Sequence, residues 1–392
     1  MAVYHQMGHH SNNLIDLPEM SSYAGAIFSP INCTEAEAME QIGEVREAKS
    51  EFEIVFDPQL YVPASDRGKL KKWVYFPRDV DTADLASTTW WNSLNRKLAS
   101  TCQKLRINSV CSPVVIPKVF DDKYYSSCVR VGTELVELLR PRNIAVLQTT
   151  LVNMAELTSV DRALEIASIA SQTAAERIYL LLVGTMSPRR ELSDENELAG
   201  TMRLINSFER NDLKVLVGFC SSEILLWKAA GASACASGKF FNLRRFTRQR
   251  FEEPSAEGGG QLPYWFEESL LAFLRQNDLT RIRKIGLLSA ASLNNPFGRE
   301  ILATFDEAQR TSEKPKAWLR TSWRHFLYWF ADVEGRLVRG EIKVEDLLET
   351  ADENWSKLDK AKALMLEREN NGNWIRSWLN ALHDYEGSQE LH

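Results

Sequence analysis

The residues of this chain that can do chemistry gather in one short segment and around a few isolated polar groups. Residues 239–250 hold Lys239, Arg244, Arg245, Arg248 and Arg250 with no acidic residue among them, interleaved with Phe240, Phe241 and Phe246. Basic groups set between aromatic rings suit contact with phosphate combined with stacking against a base. The segment grows out of Ser237-Gly238-Lys239. Gly238 allows a close backbone approach, and Lys239 can meet a phosphate or, with its proton loosely held, serve as an amine nucleophile. The competing reading is a helix whose phenylalanines face a core and whose arginines pair with Glu252, Glu253 and other acids. Asp57 stands directly after Ile54-Val55-Phe56 and before Pro58. A carboxylate there can be a general base or a nucleophile, or it can cap the Asp-Pro turn.

Something must bring these groups together. Seven apolar runs alternate with helical patterns: 23–29, 53–57, 109–117, 143–149, 177–183, 214–220 and 232–237. They show little polar alternation, which marks strands buried on both faces and therefore parallel and covered by helices. Repeated strand–helix alternation implies right-handed crossovers, and this number of units predicts an α/β fold of the (β/α)8 TIM-barrel type. The eighth strand is unassigned: Ile282–Leu288 is the candidate, or else it continues a helix that begins near Trp265. No GxGxxG follows the first run, which speaks against a dinucleotide-binding sheet. Thr34 followed by Glu37 forms a capping-box pattern that opens the first helix. Past residue 250, Pro254–Pro263 with Gly258–Gly260 reads as a loop, Pro263–Gln276 as a helix, and the chain from Lys314 onward as helical. The expected organisation is a barrel over 1–250, loop and helices completing or capping it over 251–313, and an α-helical extension over 314–392.

Barrel proteins carry their sites at the C-terminal ends of the strands, so the polar residues found there are the candidates. For catalysis they are Asp57, Lys239 and Glu223. For ligand binding they are Gln59, Lys118, Gln148, Thr149, Ser237, Gly238, Arg244 and Arg245. In fold the chain is similar to barrels of the tRNA-guanine transglycosylase kind, which implies an aspartate beside a nucleic-acid groove. The cysteine-rich zinc motif and the Asp-Ser-Gly-Gly motif of that family are absent.

Composition narrows the function classes. The 392 residues carry a net charge of −6, with 44% hydrophobic and 26% charged residues, as in ordinary globular proteins. That balance argues against a generally basic nucleic-acid coat but allows one local basic patch. No apolar stretch is long enough for a membrane span. The six cysteines form no CxxC pair, and no HExxH, Walker or Ser-His-Asp pattern is present, so no metal site and no cofactor is expected. His9 and His10 are adjacent, and their side chains diverge on an extended segment. The N-terminal residues lack a basic and an apolar signal region, which together with small or apolar surroundings for the cysteines predicts a cytoplasmic protein. Six of the eleven tryptophans fall between 318 and 378. Leu319, Trp323, Phe326 or Leu327, and Phe330 make a helical stripe, read either as packing between barrel and cap or as a surface for self-association or a protein partner. The leading expectation is a barrel that binds a phosphate-bearing small molecule or nucleic acid at its mouth. If it is an enzyme, it is a transferase, hydrolase or lyase on such a substrate, with Asp57 as acid, base or nucleophile. The alternatives are a non-catalytic scaffold within a larger assembly, and a Schiff-base lyase or aldolase using Lys239 or Lys118.

Overall fold

Apolar strands without a polar face need cover on both sides, and in the computed structural model, which describes residues 2–253, 261–313, 315–361, 365 and 370–390, they obtain it by closing on themselves. Eight parallel strands form a closed barrel in chain order: β1 (Ala2–Gln6), β2 (Tyr23–Phe28), β3 (Glu53–Phe56), β4 (Ser109–Cys111), β5 (Ala145–Asn153), β6 (Arg177–Val183), β7 (Lys214–Val217) and β8 (Ala234–Ser237). The seven expected strands are all present. The eighth is the N-terminal segment, which pairs in parallel with both β8 and β2. Ala-Val-Tyr-His-Gln lacks an apolar run because its partners inside the barrel are polar. Tyr4 donates to Glu53, and the Tyr179 hydroxyl donates to Gln6 Oε1 at 3.2 Å.

The end of the barrel where the strands begin is tied by a polar cluster. Arg177 meets Glu53 at 2.5 Å, and Glu53 also accepts from the Tyr4 and Ser109 hydroxyls. These residues come from β1, β3, β4 and β6, so the cluster is a cross-brace rather than an opening.

The helices of the outer layer are α1 (Glu35–Ala48), α2 (Thr82–Ala86), α3 (Thr88–Leu105), α4 (Asp122–Leu139), α5 (Val160–Ala170), α6 (Glu195–Arg210) and α7 (Ile224–Ala229). Thr34 and Glu37 cap α1 reciprocally, as their spacing predicts. Between β1 and β2 the chain makes only short 3-10 turns, which leaves a gap in the ring. After α8 (Gln276–Lys284), α9 (Ala290–Asn294) and α10 (Pro296–Thr311), helix α11 (Leu319–Val338) fills it, packing on β1 and α7. The Tyr23 hydroxyl donates to Leu327 O at 2.8 Å, and Lys228 of α7 pairs with Glu334 of α11 at 2.9 Å. Helices α12 (Val344–Lys360) and α13 (Asn373–Glu390) then pack outside α6 and α7. Of the aromatic stripe, Phe326 and Phe330 are buried while Leu319 and Trp323 are half-buried, and Trp318, Trp329, Trp355, Trp374 and Trp378 elsewhere in the C-terminal helices are buried.

Two expected elements differ. Where a helix is expected over 263–276, residues 265–274 form a hairpin, β9 (Trp265–Glu267) and β10 (Ala272–Leu274). Phe266, Leu270, Phe273 and Leu274 fit helical spacing, but nearly every side chain here is buried, so period says little. The turn is held by Glu267, which accepts from the backbone N–H groups of Ser269 (3.1 Å) and Ser289 (2.8 Å), and Leu271 takes a left-handed φ of 48°. Residues 282–288 are not a strand: they end α8 and turn through Gly286. The expected loop over 254–260 lies outside the described residues. Among the described residues no helix is long and apolar enough to cross a membrane. All six cysteines are unpaired, and burial pushes Cys33 and Cys128 up to about 12.

Candidate functional site

At the C-terminal ends of the strands the loops enclose a pocket of about 450 Å3. Five cationic side chains line it: Arg67 from the loop after β3, Arg189 from the loop after β6, and Lys239, Arg244 and Arg250 from the segment after β8. His9, after β1, joins them, and no described residue of the lining is acidic. The backbone around the mouth is locally constrained. His10, Gln59 and Phe219, which follow β1, β3 and β7, all have φ between 49° and 58°, a conformation that costs L residues roughly 1 kcal/mol or more each.

Gly238 is required by close packing. A Cβ there would stand 2.5 Å from Leu243 Cβ and 2.7 Å from the Gln6 carbonyl oxygen. The turn it permits delivers Lys239, whose Nζ donates to the His10 carbonyl at 2.9 Å and lies 4.6 Å from the ring centres of both Phe240 and Trp323. Burial, with Arg320 nearby, lowers this ammonium to about 8. Burial likewise lowers Arg250 to about 10 against the pull of Asp57, and its Nε is buried without a hydrogen-bond partner. A buried donor of this kind is costly to leave unmet.

The arginines of the basic run have different surroundings. The run is no helix but two short 3-10 turns. Arg248 pairs with Glu252 at 2.7 Å, and Arg245 pairs with Glu223 at 3.3 Å and faces Glu191 at 3.7 Å. Arg244 is buried, donating to the Gly238 and Lys239 carbonyls with its guanidinium stacked among phenylalanines. Lys239, Arg250 and one side of Arg244 face the pocket.

The other candidates divide as well. Asp57 is 1% exposed and lies under Tyr61, whose hydroxyl donates to its carboxylate at 2.9 Å, with Phe246 and Phe251 packed on the Tyr61 ring. Gln59 donates its N–H to Asp57 at 3.0 Å and accepts from Ser29 at 2.7 Å. Both are beneath the pocket rather than in its wall, and Asp57 reaches it through the charge of Arg250. Ser237 donates to the Cys220 carbonyl at 2.6 Å, pinning β8 to the loop after β7. Gln148 points toward α4, where Gly132 makes room for it and it donates to the Cys128 carbonyl at 3.1 Å. Thr149 donates to the Ser112 carbonyl at 2.7 Å, and Lys118 is exposed in the loop after β4. None of these last three reaches the pocket. Sequence reading missed Arg67 and Arg189. Both lie in loops that follow strands, and Ser187-Pro-Arg-Arg190 is a basic signal that position alone could have raised.

Burial raises Asp57 to about 6, although Gln59, Tyr61 and Arg250 pull the other way. The folded state therefore holds this proton more tightly than the unfolded chain, whose aspartate titrates near 3.9. Stability contributed by the neutral form is present at acid pH and is lost as pH rises from about 4 through 6, a difference of about 3 kcal/mol. Asp57→Asn is expected to unfold at higher denaturant than the parent at pH 8 and at a similar concentration at pH 4.5. Equal midpoints at pH 8 would remove the buried charge as the cause.

No family model matches the chain, and neither does any curated protein sequence. Similar solved structures include a GH18 chitinase from Pseudoalteromonas aurantia, at 10% identity and TM-score 0.38, covering 62% of this chain and 95% of that one. The aldolase QR15 is similar at 10% identity and TM-score 0.35, covering 60% and 88%. Tryptophan synthase subunit alpha from Campylobacter jejuni is similar at 14% identity and TM-score 0.32, covering 60% and 85%. Likeness at this level carries nothing about chemistry; the barrel rests on the strand pairing itself.

Proposed function

We propose that the mouth of the barrel binds a phosphate-bearing small molecule, with Lys239, Arg250, Arg189 and Arg67 around the anion. The observation that carries this reading is the acid-free basic wall in a chain of net charge −6. Like charges gathered in a partly desolvated pocket repel each other, which an anion relieves. The volume suits a small molecule, and this favours a free nucleotide or phosphorylated metabolite over a nucleic-acid strand. Asp57 then acts from below, holding the charge of Arg250. Lys239→Ala is expected to weaken binding of inorganic phosphate about tenfold in a calorimetric titration, and added salt should weaken it in the parent. Unchanged affinity in the variant would sink the assignment. Unpaired, buried cysteines fit a reducing compartment, so a cytoplasmic setting belongs to the same proposal.

A second reading is favoured by the lowered ammonium of Lys239: an amine near 8 in a ligand-sized pocket can form a Schiff base. Borohydride added with an α-keto acid or a ketose phosphate is then expected to trap an adduct on Lys239, and mass spectrometry that finds none removes lyase or aldolase chemistry. Association with a protein partner or a second copy is the rival of a different class. The buried tryptophans do not supply its surface, and light scattering that finds only monomer counts against self-association.

A further inference from the structure

Beside the basic pocket lies a second cavity of about 590 Å3, and the two share Arg189, Phe241 and Tyr264. Glu191 lines it with Trp374 and Asn370. The Glu191 side chain is 7% exposed, and its Oε2 has no hydrogen-bond partner. Behind it stand Glu223, 3% exposed, and Arg245, 6% exposed. The groups facing Glu191 are Glu223 and Ser222 from the loop after β7, and Arg245 and Arg244 from the segment after β8. Two carboxyls thus share one guanidinium in a buried place, while Arg245 Nη2 is also engaged by the Arg190 carbonyl at 3.1 Å. An unbalanced buried negative charge is expensive, and two carboxyls in such a place lower that cost when one of them is neutral. Burial first, and the neighbouring Glu223 second, push Glu191 up.

We propose that Glu191 is the proton donor and acceptor of the mouth, acting on a ligand that spans both cavities. This rests on the reading that the basic pocket holds the ligand's anion. In the transfer, the Glu191 O–H bond breaks as an O–H bond forms on a basic oxygen of the ligand. The carboxylate left behind is met by Arg245, and the reverse transfer restores the acid. Glu223 is a positioning residue that holds Arg245.

The test needs no substrate. An infrared spectrum of the parent minus Glu191→Gln at pH 7 should show the C=O band of a protonated carboxyl, fading as pH is raised to 9. A band that is absent, or that is lost in Glu223→Gln while it persists in Glu191→Gln, overturns the assignment. Sulfate, which carries no titrating proton in this range, then probes linkage by calorimetry in buffers of different ionisation enthalpy. In a Lys239→Arg background, which keeps the charge and does not titrate, sulfate binding at pH 8 should take up a fraction of a proton, and adding Glu191→Gln should abolish the uptake. Uptake unaffected by Glu191→Gln overturns the proposal. Sulfate that fails to bind while the band is present overturns the anion pocket instead and leaves Glu191 as the protonated carboxyl.

Discussion

Lys228→Met is expected to destabilise the protein by about 3–5 kcal/mol, measured as a lower denaturant midpoint at pH 7. Lys228 is 3% exposed at its side chain, and its ammonium lies 2.9 Å from Glu334, itself 9% exposed. It also donates to the Ala232 carbonyl at 3.0 Å, just ahead of β8. Removing the lysine leaves a carboxylate buried without its counter-charge, and this penalty, rather than the attraction lost, dominates the effect. The double variant Lys228→Met with Glu334→Leu should therefore recover most of the loss, because both desolvation penalties go together. Double-mutant additivity, with no recovery, would show that the two groups do not interact. The pair joins α7 to α11, so its effect reports how far the C-terminal helices are part of the barrel. Without α11, β1 would lose its cover on the outer face, since no helix follows it in the chain.

Arg244→Ala is the second large effect, again about 3–5 kcal/mol. The guanidinium carbon lies 3.7 Å from the ring centre of Phe326 and 4.8 Å from that of Phe273. Nε donates to the Gly238 carbonyl at 2.9 Å and Nη2 to the Lys239 carbonyl at 3.0 Å. One side chain thus ties the turn after β8 to the β9–β10 hairpin and to α11. Burial lowers it to about 9, which still leaves it charged at neutral pH, so alanine removes hydrogen bonds, stacking on Phe241, Phe273 and Phe326, and volume together. Lysine should not rescue it, since an ammonium cannot reach both carbonyls while lying flat on the rings. Fluorescence-monitored unfolding is the measurement. A change below about 1 kcal/mol would show that the stacking contributes little. Because the same turn carries Lys239, any folded fraction of the variant should also bind phosphate more weakly.

Much of the barrel was legible because its physics is local. Strands buried on both faces read as apolar runs, and Thr34 with Glu37 needs only each other to cap a helix. β1 was illegible for the opposite reason: Tyr4 and Gln6 are polar, and only Glu53 and Tyr179, far along the chain, make them acceptable inside a barrel. The hairpin at 265–274 was misread because burial on every side erases the period by which helix and strand are told apart. At the site, position in the chain located Lys239 and Asp57 near the mouth but could not show that Asp57 lies under Tyr61 rather than facing the pocket.

The basic segment shows where the division falls. Its composition alone determined that residues 239–250 hold an excess of positive charge, and the strand ending at Ser237 placed that excess at the mouth. Composition could not assign the individual residues. Arg244, Arg245, Arg248 and Arg250 are the same residue type within one stretch, yet one is stacked among rings, two are paired with acids and one faces the pocket with an unmet donor. Those fates depend on Glu191, Glu223, Glu252 and Phe326, and all but Glu252 are distant in sequence. Only closure of the barrel, with α11 laid across its gap, sets which charge meets an acid and which faces the pocket.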